Sequence, residues 1–417
     1  MAIVIFCPIT FNLAEVTRAI EVARALDARH NPVFMGYETD FADLITDAGF
    51  DYRPSEPALT SAERDQALRF DQGKTLRNPF TYELVSERVS AERALIRRTR
   101  AAAVVIGTNP TSMISARAEH VPLIYPVPFA LTRPQVEQSK RLGLVRGTGT
   151  ADRAIDTIAT AVMRWVYAHA PLAPRSFVRV ARENGVAPLR NIVSLIEADH
   201  NLLTVMPAEL EGYTLPPGYE RVGPIFAHLD APMPEVVERL AAAPEPLVYL
   251  GLGSSADRGL ALAAARRLGT LPVHVIAPIR HYLADDDELP PNVHVTGLIP
   301  AHRLGGLVDA AVLHGGQGTV QTACAAGIPF VGMGLQPEQV WNVDVCVRQG
   351  NALALTPKQA GGPELAAAVF RLLEEPTFRR AAERVEAEFD HEDGARASAR
   401  VIDRIIEERA VDAEARG

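Results

Sequence analysis

The 417-residue chain is long for one compact core and implies two or three domains. Its composition, 47% hydrophobic and 22% charged, is that of a globular protein, and a formal net charge of −9 argues against nucleic acid or an anionic membrane as the main partner. A small anion stays admissible, because a local pocket of backbone N–H groups binds one whatever the overall charge.

The opening MAIVIFCPI lacks a basic flank and a small-residue cleavage site, and reads as a buried first strand rather than a leader. No apolar run reaches the roughly 18 residues of a membrane span, so a soluble, cytoplasmic protein is expected. Three cysteines, Cys7, Cys324 and Cys346, stand far apart in sequence and match no metal-ligand spacing; buried free thiols in a reducing compartment are the expectation.

After the first strand comes a helical pattern, AEVTRAIEVARALDAR, then strand-like PVFMGY and helical DFADLITDAG. Residues 81–100 form a charged amphipathic helix, and AAVVIGT and PLIYPVP read as strands. Near-continuous apolar strands separated by helices indicate a parallel sheet covered on both faces. Residues 139–200 are mostly helical, and LLTVMP is a further strand. The stretch 213–235 is dense in Pro and Gly. The β/α rhythm then restarts with PLVYLGLG, PVHVIAP, NVHVTGLI, AAVLHGG and PFVGMG. The expected organisation is an N-terminal α/β domain (1–220), a linker (221–235), a second α/β domain (236–385) and a helical tail (386–417). Two doubly wound units would bind ligand outside the carboxyl ends of their strands.

The most informative segment is AAVLHGGQGTVQTACAAGIPFVGMGLQPEQVWN, residues 310–342. A strand ends in His314-Gly315-Gly316, followed by Gly318-Thr319 and at once a helix. Glycines let the backbone approach an anion, and the helix N-terminus supplies N–H groups and positive dipole. That suits a diphosphate, with donors from Thr319 and His314. Alone, such a turn is as often structural.

The whole segment resembles the signature of the UDP-glycosyltransferase superfamily, which includes bacterial natural-product glycosyltransferases. His314 through Thr319, then Gly327-Ile328-Pro329, Glu338-Gln339 and Asn342 appear in the family's order and spacing. The resemblance implies a GT-B fold, two Rossmann-like domains facing a cleft, with the last helix crossing back. It implies that His314, Gly315, Gly316, Gly318 and Thr319 contact the diphosphate of a nucleotide sugar, and that Glu338 and Gln339 bind the sugar hydroxyls. Trp341 is a pocket wall or a core aromatic. Gly334 and Pro337 depart from the family pattern and leave the sugar open. PLVYLGLGSS resembles the family's opening strand and turn, which adds Ser254 and Ser255 to the diphosphate set. NVHVTGLIPAHRL resembles the base-cradling stretch; Leu298 stands where plant members carry a stacking Trp, followed by Ile299 and Pro300.

In active members a Gly-His pair after the first strand supplies the general base. Here the aligned residues are Ala14 and Glu15, and the region that usually carries the orienting Asp reads Ile106-Gly107-Thr108-Asn109. Three readings stay open: Glu15 is the base, the acceptor needs little activation, or the protein is catalytically silent. A carboxylate favoured at a helix N-terminus is the structural alternative for Glu15. The resemblance implies an inverting transfer from a uridine or thymidine diphosphate sugar to a small-molecule acceptor, with no cofactor beyond the nucleotide sugar and no metal. The rivals are a silent auxiliary subunit and a nucleotide-sugar epimerase or hydrolase. Thr10, Phe11, Tyr82, Phe129 and residues near 140–170 are the acceptor-side candidates. The oligomeric state is open, a homodimer among the options.

Overall fold

The computed structural model describes the chain except residues 72–74, 76–77, 146–148, 188, 229–231, 254–255 and 417. It forms two compact units, Met1–Ile225 with Asp393–Gly417, and Phe226–Glu392.

The first unit contains β1 (Ala2–Cys7), α1 (Leu13–Ala25), β2 (His30–Gly36), α2 (Ala42–Asp47), β3 (Asp51–Pro54), α3 (Ser61–Asp71), α4 (Tyr82–Thr99), β4 (Ala103–Ile106), α5 (Ser112–Ala118), β5 (Leu123–Val127), α6 (Arg133–Gln138), α7 (Thr150–His169), α8 (Arg175–Glu183), α9 (Ile192–Ile196), β6 (His200–Leu203) and β7 (Tyr219–Arg221). The second contains α10 (Glu235–Ala241), β8 (Leu247–Gly251), α11 (Arg258–Leu268), β9 (His274–Ala277), β10 (Val293–Val295), β11 (Ala310–Leu313), α12 (Gln317–Ala325), β12 (Phe330–Gly332), α13 (Pro337–Gln349), β13 (Ala352–Ala354), α14 (Pro363–Glu374) and α15 (Pro376–Ala387). The last helix, α16 (Gly394–Arg416), belongs to the first unit rather than standing apart as a tail.

Both sheets are parallel, ordered β3-β2-β1-β4-β5-β6-β7 and β10-β9-β8-β11-β12-β13. Their central strands are apolar throughout because helices cover both faces: all four residues of β4 and of β11 are buried. The order reverses between β1 and β4 in one sheet and between β8 and β11 in the other. At such a switch the following loops leave toward opposite faces and open a crevice at the carboxyl ends.

The first unit's core joins Val4, Phe6, Val16, Ile20, Phe34 and Val105 to Val401, Ile402 and Ile405 from α16. Phe6 and Phe34 stack with centroids 5.1 Å apart. A close backbone approach sets the entry to α16: Gly394 N donates to Pro224 O at 3.0 Å, and a Cβ on Gly394 would fall 2.2 Å from Gly223 O. Only glycine fits there.

All three cysteines are buried and free. Cys324 and Cys346, distant in sequence, are neighbours across α12 and α13, with Sγ atoms 3.6 Å apart. Among the described residues no helix is long and apolar enough to cross a membrane, and no group of three His, Cys, Asp or Glu could hold a metal ion.

Replacing the fully buried Ile402 by Ala is expected to cost the first unit about 2–5 kcal/mol. Differential scanning calorimetry should show one transition moving down while that of the second unit stays in place.

Candidate functional site

In the second unit, β11 delivers His314 beside the end of β8. His314 N donates to Gly251 O at 3.2 Å, and its ring Nδ1 lies 3.3 Å from the same carbonyl. A carbonyl only accepts, so Nδ1 carries the hydrogen of this bond. Burial holds the imidazole below its ordinary pKa, against the opposing effect of the Gly251 carbonyl. At neutral pH the ring is therefore uncharged, with Nε2 unprotonated.

The glycines around this ring are steric requirements. A Cβ on Gly316 would sit 2.4 Å from Nε2, and one on Gly253 2.6 Å from Cε1. Gly315 takes φ +85° and a Cβ there would meet Gln339 O at 2.7 Å. Gly318 instead faces open space: its added Cβ would meet nothing within 4 Å. Gly316 caps α12, whose first intrahelical bond runs from Val320 N to Gly316 O at 3.0 Å. The amides of Gln317, Gly318 and Thr319 precede that ladder, as the first-turn amides of a helix do. Thr319 is half-buried in the same turn.

The first turn of α13 is tied to this loop. Asn342 Nδ2 donates to Gly315 O at 3.0 Å and to Glu338 Oε1 at 2.9 Å. Gln339 is buried, and its Oε1 accepts from Leu335 N at 2.9 Å, so it braces its own loop. Trp341 is half-buried along α13, with the Arg348 guanidinium 5.5 Å from its ring. After β10, Leu298 is 66% exposed while Ile299 and Pro300 are buried. Ser254 and Ser255 lie outside the described residues. The structure thus brings His314, Gly315, Gly316, Glu338 and Gln339 into one bonded assembly, with Gly318 and Thr319 on its open helix end.

In the first unit, Glu15 bridges the loops after β1 and β4. Its Oε2 accepts from Ile9 N at 3.0 Å and Thr108 N at 3.1 Å, and its Oε1 from Thr108 Oγ1 at 2.6 Å. Asn12 Nδ2 lies 3.5 Å from Oε1. A Cβ on Gly107 would fall 1.8 Å from Oε2, so Gly107 is what admits this carboxylate. In the sequence Gly107 and Thr108 mark only the place where a carboxylate is missing; their role as seat and donor for Glu15 comes from packing between segments distant in the chain.

The remaining acceptor-side candidates scatter. Thr10 is wholly buried, its hydroxyl donating to Glu38 O at 2.7 Å, while Phe11 beside it is half-exposed. Phe129 is wholly buried, edge-on to Tyr213 at 4.8 Å, which makes it packing rather than an open wall. Tyr82 donates to Glu183 at 2.8 Å under the Arg179 guanidinium, between α4 and α8. Behind Asn109, buried Glu92 accepts from Tyr37 Oη at 2.7 Å, from Asn109 Nδ2 at 3.2 Å, and from Thr111 and Ser115. This buried carboxylate was not foreseen, because α4 reads as an ordinary charged helix.

Residues 266–406 match the family model described as Erythromycin biosynthesis protein CIII-like, C-terminal domain. The chain is 27% identical over 383 residues to a PGL/p-HBAD biosynthesis glycosyltransferase of Mycobacterium tuberculosis, covering 91% of this chain and 86% of that protein. It is 25% identical over 399 residues to a PGL/p-HBAD biosynthesis rhamnosyltransferase of Mycobacterium bovis, covering 92% and 83%. Among solved structures, Spinosyn Forosaminyltransferase SpnP superposes with TM-score 0.70 at 16% identity, over 97% of this chain and 99% of that one. Glycosyltransferase VinC in complex with dTDP gives TM-score 0.68 at 19% identity, over 97% and 100%. At such identities these two structures bear on the fold, which is GT-B.

Because the His314 ring fills the space a Gly316 side chain would need, Gly316→Ala is expected to destabilise the second unit by about 1–3 kcal/mol. In a His314→Ala background the same change should be nearly neutral. Thermal melting of the four proteins in a double-mutant cycle checks this; equal costs in both backgrounds would refute the steric account.

Proposed function

We propose that the chain is a member of the UDP-glycosyltransferase superfamily that transfers a sugar from a nucleoside diphosphate to a small natural-product acceptor. The relatives named for glycosyl and rhamnosyl transfer support the reaction class. The observation that carries the donor assignment is the assembly at the end of β11: a buried imidazole, a glycine turn against it and an open helix end, braced by Asn342 to Glu338.

In this reading the diphosphate lies over Gly316, Gly318 and Thr319, where the first-turn amides and helix dipole favour negative charge. Glu338 addresses the sugar hydroxyls, and Gln339 holds the loop. An acceptor oxygen attacks the anomeric carbon as the bond from that carbon to the diphosphate oxygen breaks. The nucleoside diphosphate leaves with the bonding pair, and the acceptor's proton passes to a base or to solvent. Attack from the face opposite the leaving group inverts the anomeric centre. Electrostatic stabilisation of the departing diphosphate is the donor loop's contribution. Thymidine diphosphate is the first nucleotide to try, since it is the ligand named for VinC and for Spinosyn Rhamnosyltransferase SpnG.

Glu15 fits a positioning role better than that of general base. Its oxygens already accept two amides and a hydroxyl, which leaves little lone-pair capacity for a proton from the acceptor. Glu15→Gln would set an amide NH₂ against these donors and is expected to cost about 1–3 kcal/mol of stability. A melting temperature unchanged from wild type, with turnover lost and its pH profile altered, would instead make Glu15 the base.

Calorimetric titration with uridine and thymidine diphosphates and their sugars tests the donor site. His314→Ala should weaken the preferred nucleotide roughly 10–100-fold, the worth of a hydrogen bond to a charged group. No binding by any nucleotide would remove the proposal.

The tautomer adds a pH signature. Nδ1 already donates to Gly251, so donation from Nε2 to the diphosphate requires the imidazolium, and binding takes up a proton. The free ring's pKa is lowered, and the diphosphate's negative charge raises it in the complex. Between those two values affinity should fall as pH rises, by at most about tenfold per pH unit for one linked proton, and level off at lower pH. A nucleotide sugar is the probe, because both its phosphates are diesters without a second ionisation near neutrality. His314→Gln should flatten the dependence.

A further inference from the structure

Helix α7 is amphipathic in the reverse sense. Its polar side chains face inward: Asp156 accepts from Gly143 N at 3.2 Å and Val145 N at 3.0 Å, and Thr160 accepts from Leu142 N at 3.0 Å. Arg164 donates to Val136 O at 3.2 Å and Ser139 O at 2.7 Å, and the Tyr167 hydroxyl donates to Leu131 O. Its large apolar side chains face solvent, with Ile155 54%, Ile158 66%, Val162 58% and Trp165 62% exposed. A run of apolar side chains this large rarely stays uncovered on a soluble surface.

We propose that this stripe is the interface for a second copy of the chain, packed helix against antiparallel helix about a two-fold axis. The spacing of the four residues is three, four, three, which reads the same from either end. A two-fold axis opposite Thr160 therefore sets Ile155 against the partner's Trp165 and Ile158 against the partner's Val162. An isologous contact requires that self-complementarity. The spacing is also that of a coiled-coil seam, and the positions flanking it are Ala154, Ala159, Ala161, Val166 and Ala168, small and uncharged, so two helices approach closely. The flanking charge nearest the seam, Asp152, is turned to its own helix start, accepting from Gly149 N at 3.1 Å.

Charge favours this occupant over a lipid surface. A membrane-lying helix carries Lys and Arg along the border of its apolar face; the borders here are alanine and valine. The stripe is about 15 Å long at the rise of a helix. With its flanking residues it offers on the order of 500 Å² per copy, so a pair buries on the order of 1,000 Å², the low end for a specific interface. His169, stacked on Trp165 at 6.0 Å between centroids, extends the seam.

Sedimentation velocity of the full chain over roughly 1–100 µM covers the range in which a contact of this size associates. Wild type should show a concentration-dependent dimer, and Ile158→Glu should weaken it at least about tenfold by burying unpaired charge. Ile158 is exposed, so at concentrations where both proteins are monomeric the two melting temperatures should agree. Pairing is read by oxidation of Ile158→Cys and Val162→Cys chains on a non-reducing gel; the native cysteines are buried. A mixture of the two variants should cross-link efficiently and neither alone. A monomeric wild type, a dimer indifferent to Ile158→Glu, or cross-linking by single variants would overturn the proposal. So would a monomer that instead co-sediments with anionic vesicles through this helix.

Discussion

A parallel sheet that reverses its winding leaves two neighbouring strands whose loops diverge, and something must hold those loops at a fixed separation. Each unit meets this with one buried polar side chain. In the first, Glu15 in the opening turn of α1 ties Ile9, in the loop after β1, to the amide and hydroxyl of Thr108 after β4. In the second, His314 after β11 returns its ring to the last carbonyl of β8. Both are accompanied by glycines whose missing Cβ makes room for the bridge, Gly107 for the carboxylate, Gly253 and Gly316 for the imidazole. The bridge and its glycines act as one packing unit, and neither keeps its geometry without the other.

This dependence explains why the shape of the His314 turn was legible in the sequence and the surroundings of Glu15 were not. Around His314 the turn itself is local, even though its ring reaches back to Gly251: strand end, turn and helix start lie within a few residues, so a turn rich in glycine before a helix already specifies its shape. Glu338, Gln339 and Asn342 follow at helical spacing, which places them near one another by periodicity alone. Around Glu15 the partners are distant in sequence. Thr108 is a small hydroxyl residue in the stretch that lacks the family's Asp, and its Oγ1 lies 2.6 Å from the Glu15 carboxylate. The family pattern shows only a missing Asp at that stretch, while the molecule has a complete carboxylate–hydroxyl pair there.

Other expectations were settled by burial, which composition does not report. Thr10 and Phe129 follow strands β1 and β5, where ligand-lining residues belong by topology, yet both are fully buried. The face that α7 turns inward is equally hidden from a periodicity reading. An apolar stripe on a helix normally marks the core-facing side; here carboxylate, hydroxyl and guanidinium groups find backbone partners inside, and the apolar residues remain outside. Cys324 and Cys346 are a similar case, separated in the chain yet adjacent across α12 and α13.

The path of α16 bears on how the molecule is made. The first unit's core is lined in part by Val401, Ile402 and Ile405, which leave the ribosome after every strand of both sheets. During synthesis the sheet of the first unit emerges early, with the apolar ground around Val16 and Ile20 still bare. The second unit, continuous in sequence, can complete its own core in the meantime. The half that begins the protein is thus finished last, and over that interval its uncovered apolar surface is open to contact with another nascent chain.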